Sequence, residues 1–289
     1  MKLKKIALLA LGMGIAGSGF SAVTVDTGAA SAASAAGITA QAAEAIKNKQ
    51  DEGMLSYFWA DKFSQLATIP SFSLAAQSGL VPSWGVIYGA GSGVTNVPST
   101  NGTDASIAVG MGFGDASDFL GGGLSLGIGS VNPKDSGIGG RGNINISLGH
   151  FFSKTLTGVA IGEDSIGGWN NGGGNPTGSY YAAVTQILPN DIAPVILNAG
   201  IGNNIYTFIR STKHKTTSVG VFGSVAVYVL PQLAVVADNT SGVTTAGVSL
   251  VPFVKLPITV NLAAWDVFSS VQNHPNVSFL GSISYAYTF

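Results

Sequence analysis

The chain contains no cysteine, so neither a disulfide framework nor a thiolate metal site is open to it. Charge is scarce as well: Asp, Glu, Lys and Arg make up 9% of the residues, against about 25% in an average soluble domain. Three of the thirteen basic residues, Lys2, Lys4 and Lys5, lie in the first five positions, leaving ten against fourteen acidic and a formal charge of −4 for the rest. That balance excludes nucleic acid as an expected partner, because such binding needs a concentrated basic face. Past the N-terminal region no apolar run reaches the roughly 20 residues a membrane-spanning helix requires. The sequence also lacks a charged tail: it stops on Phe289, at the end of an alternating aromatic stretch.

What is present is alternation. Val277, Phe279, Gly281, Ile283, Tyr285, Tyr287 and Phe289 share one face of a strand, and Ser278, Leu280, Ser282, Ser284, Ala286 and Thr288 share the other. The pattern recurs upstream. Ile107, Val109, Met111 and Phe113 oppose Ala108, Gly110, Gly112 and Gly114; Ile144, Ile146 and Leu148 oppose Asn145, Ser147 and Gly149. Twelve such strands are predicted, near 84–93, 104–113, 120–130, 143–152, 155–162, 179–188, 194–202, 216–229, 231–238, 242–251, 257–266 and 277–289. Most are about ten residues long, the length a tilted strand needs to cross a hydrocarbon core. A soluble β-sandwich would alternate too, but the connections tell against it. Long polar loops (94–103, 131–142, 163–178, 203–215, 267–276) alternate with brief turns, and the one exception is the short turn Asn239–Ser241. Long loops on one side and short turns on the other are the habit of transmembrane β-barrels.

The N-terminus reads differently. Lys2, Lys4 and Lys5 precede an apolar run from Ile6 to Ile15 and then small residues, the layout of a secretory signal peptide over 1–21. Residues 22–37 form an Ala/Ser/Gly-rich linker. Over 38–80 a helical segment is expected, with Leu55, Phe58, Trp59, Phe63 and Leu66 at helical spacing and Pro70 as a stop. Three placements are open for it: packed on a barrel mouth, inserted as a plug with Met54–Ala67 filling the lumen, or lying at the membrane interface on Phe58 and Trp59.

A signal peptide, amphipathic strands of about ten residues and the ending Tyr285-Ala286-Tyr287-Thr288-Phe289 resemble the Gram-negative outer-membrane β-barrel proteins. The resemblance covers about residues 84–289 and implies an all-β antiparallel transmembrane barrel over 81–289 of about 12 strands, with 10 to 14 possible. It further implies porin-like behaviour, an outer-membrane location with both mature termini periplasmic, lipid and lipopolysaccharide contacts, and Tyr285, Tyr287 and Phe289 as the signal read by the barrel-insertion machinery. More weakly, Val221–Asp266, with its Leu-Pro turn and Asp238-Asn239-Thr240-Ser241-Gly242, is similar to the closing hairpins of YjbH-like, exopolysaccharide-associated barrels.

Candidate functional residues are few. Gly137–Gly142 spells G-x-G-x-x-G but opens no helix and belongs to no βαβ unit, so a dinucleotide cofactor is not expected. His150 and Ser153 are the nearest approach to a nucleophilic pair, yet a separation of three on one strand sends them to opposite faces, and His150 suits an interfacial girdle. No cofactor and no metal are expected. Parity assigns Asn145, Asn198, Tyr228, Asn261, Trp265, Ser282 and Ser284 to the lumen, and Arg210, Lys213 and Lys215 form a loop charge cluster. A wall of small neutral residues without a charged ring favours a passive, weakly selective channel for small solutes, without enzymatic activity. The alternatives are a structural or surface-interaction barrel with a plugged lumen and, last, an outer-membrane lipid hydrolase built on His150 and Ser153.

Overall fold

The computed structural model describes residues 57–95, 104–129, 141–169, 178–207, 219–270 and 277–289. The expected signal peptide, linker and first part of the helical segment lie outside these residues, as does the cluster Arg210, Lys213 and Lys215.

Among the described residues one short helix, α1 (Tyr57–Ser64), precedes twelve strands: β1 (Val86–Val94), β2 (Asp104–Asp115), β3 (Leu120–Gly129), β4 (Arg141–Phe152), β5 (Thr157–Trp169), β6 (Ser179–Leu188), β7 (Val195–Gly202), β8 (Gly220–Leu230), β9 (Leu233–Thr240), β10 (Val243–Leu250), β11 (Ile258–Trp265) and β12 (Ser278–Thr288). Each strand pairs antiparallel with its sequence neighbours, and β12 closes on β1. Val86 stands opposite Thr288 and Val94 opposite Leu280. Closure leaves no sheet edge, so every interior backbone group can find a ladder partner, which is the condition for strands to cross a lipid layer.

Alternation decides the faces. Outward positions carry Ile107, Val109, Leu124, Ile161, Leu262 and Ile283, all well exposed, whereas Ser106, Thr185, Ser249, Thr259 and Asn261 point inward and are buried. An aliphatic outside facing no protein is what lipid requires. The inside is not hollow. A core of Ile69, Phe72, Leu74, Leu80 and Val81 packs against Ile187, Ile196, Tyr228, Val236 and Trp265 from the wall, so the main apolar core lies within the barrel.

Two connections depart from expectation or explain it. The predicted end of the fifth strand near 162 is corrected: β5 continues to Trp169. Register shifts opposite Ile144 and positive φ angles at Ser165 and Gly167 let the strand carry on through a bulge. The short turn of the ninth and tenth strands is a two-residue hairpin, with Ser241 (φ 57°) and Gly242 (φ 78°) both left-handed between the paired Thr240 and Val243. That is the geometry a tight hairpin between right-twisted strands demands.

Candidate functional site in the barrel lumen

The functional question turns on residues 65–83, which link α1 to β1. α1 lies across the short-turn end. The Trp59 indole N–H donates to the Asp191 carbonyl (3.2 Å), and Phe63 meets Tyr228 edge-on at 5.6 Å. Trp59 is buried, so the interfacial placement of that residue is corrected. α1 does not fill the lumen either. The filler is the extended chain beyond it, which Pro70 keeps out of helix.

The ascending limb is fixed at Ala67, whose N–H donates to the Val254 carbonyl (2.8 Å). The Tyr228 phenol then donates to the Pro70 carbonyl (2.9 Å), the Ser71 N–H to Ser249 Oγ (2.7 Å), and Ser224 Oγ to the Phe72 carbonyl (3.0 Å). At the top the chain turns around one carboxylate oxygen, Asp238 Oδ2. The N–H groups of Leu74 (3.2 Å), Ala75 (3.1 Å) and Ala76 (2.9 Å) and the Ser73 hydroxyl (2.8 Å) all converge on it. Successive N–H groups around an anion form a nest; here the anion belongs to the wall. Asp238 lies beside the two-residue hairpin, the shortest connection at the long-loop end.

The descending limb is held by a directional chain. Asn198 Nδ2 donates to the Gln77 carbonyl (2.7 Å), and Asn198 Oδ1 accepts from Thr185 Oγ1 (2.8 Å). Thr185 Oγ1 in turn accepts from the Gly79 N–H (2.9 Å) and lies 3.1 Å from Ser78 Oγ. From Gly79 on, the limb crosses the inner face of four successive strands, and each crossing falls on a glycine. Gly158 of β5 lies under Gly79 and Leu80, Gly149 of β4 under Val81, Gly123 of β3 under Pro82, and Gly112 of β2 under Ser83. A Cβ at Gly123 would stand 2.9 Å from Pro82 Cγ and one at Gly149 3.0 Å from Val81 Cγ1, while at Gly112 it would collide with the Ser83 backbone. The wall is small because a chain lies in it, not because the lumen is open. The expected open, passive lumen is corrected accordingly.

The long-loop end is narrowed by a 3-10 turn, Asn204–Tyr206. The Tyr206 ring is buried against Phe222 (4.8 Å between centroids) and Tyr181 (5.8 Å). Its phenol donates to Asp164 Oδ2, which also accepts from Gln77 Nε2 (3.0 Å), and the Ser241 hydroxyl donates to the Ile205 carbonyl. Burial, and then the negative charge of Asp164, hold the Tyr206 phenol well above the ordinary tyrosine range. Asp164 thus joins the inserted segment to the turn that covers it.

All seven lumen-lining candidates are placed on the inner face and buried. Asn198 and Tyr228 bind the inserted segment. Asn145 donates to Ser125 Oγ (3.2 Å) and accepts the Ser165 N–H (2.9 Å), pinning the β5 bulge. Asn261 donates to Ser282 Oγ (2.9 Å). Asn261 Oδ1, Ser284 Oγ and the neighbouring Thr259 Oγ1, with Ser71 Oγ of the segment, are buried without a hydrogen-bond partner. Trp265 packs in the core. Tyr285, Tyr287 and Phe289 lie on the outer face, exposed, with Phe289 edge-on to Trp84 at 6.1 Å. His150 faces outward beside Phe152 (4.5 Å). Its Nδ1 has no partner, and no hydrogen bond joins it to the exposed Ser153. Sequence reasoning missed the roles of Asp164, Asp238, Gln77 and Thr185. The available signal was an acidic residue at an inward strand position.

No family model matches the chain, and no curated protein is found similar to it. Among solved structures, outer-membrane phospholipase A from Escherichia coli is similar over 70% of this chain and 96% of its own, at 9% identity and a TM-score of 0.41. The Salmonella typhi outer-membrane phospholipase is similar over 71% and 90%, at 10% identity and 0.40. Both are outer-membrane barrels, the architecture found here; nothing matched bears on porin-like or YjbH-like kinship. The expectation of a chain without enzymatic activity is overturned as an expectation, since the matched barrels are enzymes. At such identity and overlap the likeness concerns the fold and assigns this chain no activity.

Proposed function

We propose that the chain is a plugged conduit of the outer membrane. Residues 68–83 close a wettable lumen at rest, and small solutes pass when the segment leaves its seat through the short-turn mouth, which on this reading faces the periplasm. The observation that carries the proposal is the set of buried, unpartnered oxygens on β11, β12 and the segment: Thr259 Oγ1, Asn261 Oδ1, Ser284 Oγ and Ser71 Oγ. Each unmet polar group costs about 1–3 kcal/mol while the barrel is closed. A lumen shut permanently is better served by apolar side chains there, whereas a wall that faces water in a second state needs the hydroxyls and amide. In the same reading Tyr285, Tyr287 and Phe289 remain the signal for the insertion machinery, and the outer face meets membrane lipid.

The test uses the absence of cysteine. Ser78→Cys with Thr185→Cys places two thiols where the wild-type oxygens lie 3.1 Å apart. In planar bilayers the oxidised pair is expected to be silent, and reduction to restore openings. Silence after reduction, together with silence of Asp238→Ala, rejects the conduit. It would favour the second reading, a structural or surface-interaction barrel with a permanently seated segment. That alternative draws on the close seating of Gly79 on the Gly158 carbonyl, where a Cβ at Gly79 would approach to 2.5 Å.

A further inference from the structure

We propose that the vacated lumen binds short peptides in extended form, gripping them by the main chain. Such binding rests on the conduit reading, withdrawal of residues 68–83, and gives the class of solute that enters. The Tyr228 phenol, the Ser224 hydroxyl and the Asn198 amide donate to the carbonyls of Pro70, Phe72 and Gln77. Ser249, Asp238 and Thr185 accept the N–H groups of Ser71, of Leu74 to Ala76 and of Gly79. Apart from N–H at proline, every peptide carries these groups, whatever its side chains. Ser73, Gln77 and Ser78 add side-chain bonds to a seat already set by the backbone.

The six wall residues are not scattered. They stand on β6 to β10, five neighbouring strands, while the glycines that make room for the chain, Gly112, Gly123, Gly149 and Gly158, stand on β2 to β5. One side of the lumen holds main chain and the other gives it space. Three consecutive N–H groups turned to one carboxylate oxygen are a main-chain arrangement; saccharides and polyols without nitrogen have no such run of donors. β6 to β10 contain no Lys or Arg, and Ile69, Phe72 and Leu74 of the segment share a core with Ile187, Ile196 and Val236 of those strands. The peptide that suits this seat is neutral, with apolar and small side chains.

The test is fluorescence anisotropy of a labelled peptide with the sequence of residues 68–80, titrated with the full chain in detergent. In the wild-type chain the tethered segment competes at an effective concentration on the order of millimolar. Gly79→Val leaves the wall side chains as they are but unseats the segment, since a Cβ there would come within 2.5 Å of the Gly158 carbonyl and the Thr185 nitrogen. It is expected to bind the peptide at least about tenfold tighter than the wild type. A second peptide of equal length, with other apolar and small side chains, should bind within about tenfold of the first. A third, with ester in place of amide at the positions of Leu74, Ala75 and Ala76, lacks those N–H groups and should bind at least about tenfold weaker. Maleimide labelling of Ser78→Cys in the Gly79→Val background monitors withdrawal. Faster labelling without saturable peptide binding, loss of binding by the second peptide, or equal binding of the ester peptide overturns the peptide assignment and leaves the conduit standing. Labelling at the parent rate removes the withdrawal on which both rest. A chain that dimerises and excludes the peptide assigns the seat to a second copy's segment, and overturns the proposal as well. Should Gly79→Val fail to fold, Ala75→Pro, which takes one N–H from the segment and leaves the wall side chains unchanged, stands in its place.

Discussion

Asp238 is the point where removing a few atoms should most loosen the inserted segment. It is 2% exposed, and its Oδ2 gathers three backbone N–H groups and the Ser73 hydroxyl at 2.8 to 3.2 Å. Hydrogen bonds to a charged group contribute about 1.5–3 kcal/mol each, but four donors sharing one oxygen are not additive. Asp238→Asn can keep a neutral acceptor toward the nest, at roughly half the strength of the charged one, so a loss of about 2–3 kcal/mol is expected. Asp238→Ala strands the donors inside the barrel, and at about 1–3 kcal/mol for each unmet group the loss should exceed about 4 kcal/mol. The assay is labelling of Ser78→Cys by a membrane-impermeant maleimide, in a chain with no other cysteine. Ser78 is 8% exposed, so labelling reports the fraction of time the segment is out. At a factor of ten per 1.4 kcal/mol, Asp238→Asn should label on the order of 30- to 100-fold faster than the parent and Asp238→Ala faster still, with Asp118→Asn unchanged. If Asp238→Ala labels at the parent rate while the barrel stays folded, the carboxylate does not hold the segment, and the reasoning from the nest fails.

Other consequences can be measured separately. Gly158→Val forces a side chain into Gly79 and Leu80 and should cost about 1–3 kcal/mol of overpacking, read as a lower urea midpoint; Gly89→Ala, whose Cβ meets nothing nearer than 3.5 Å, should leave it unchanged. Tyr206→Phe removes a buried donor to Asp164, at a cost of about 1–3 kcal/mol. Because the folded phenol titrates above its unfolded value of about 10, that difference should be constant from pH 6 to 9. It should shrink only as pH rises past 10; a gap that closes by pH 8 refutes the assignment. The Phe289 N–H donates to the Gly85 carbonyl (2.8 Å) and its ring meets Trp84, so Phe289→Ala should lower the yield of membrane-assembled barrel in a heat-modifiability gel. Unchanged yield would remove the terminal aromatic from the assembly signal.

The barrel was legible in the sequence because its cause is local. Period-two alternation and turn chemistry are written residue by residue, and the strands fell within a few positions of their predicted bounds. β5 is the case where this failed: Glu163, Asp164 and Ser165 read as the start of a polar loop, yet Asn145 Oδ1 takes the Ser165 N–H and the strand runs on. The contents of the lumen were not legible by the same means. Residues 68–83 have no period, since they are placed by one strand after another, from Ser249 of β10 to Gly112 of β2. The glycines are ambiguous for a physical reason. Gly158 faces a chain and Gly89 faces lipid, and both read as small residues in a strand.

A carboxylate at an inward position is less ambiguous than a glycine. Ala234, Val236 and Asp238 share the inner face of β9, and β8, β9 and β10 hold no lysine or arginine. The strand N–H groups in this region are largely engaged in the ladders, which pair Asp238 with both Ser224 and Thr245. Of the neighbouring side chains, Thr240 Oγ1 donates to Asp238 Oδ1 (3.1 Å), which leaves Oδ2 to be met from elsewhere. Most donors for a buried charge there must therefore come from chain that is not part of the wall, and a turn that points three consecutive N–H groups inward satisfies the need with no side chain of its own. By that reasoning the buried Asp238 calls for a guest segment in the lumen, and it requires the guest to turn at that height. Leu74, Ala75 and Ala76 do so. The same logic applied to Asp164 finds its donors in the segment, at Gln77, and in the covering turn, at Tyr206.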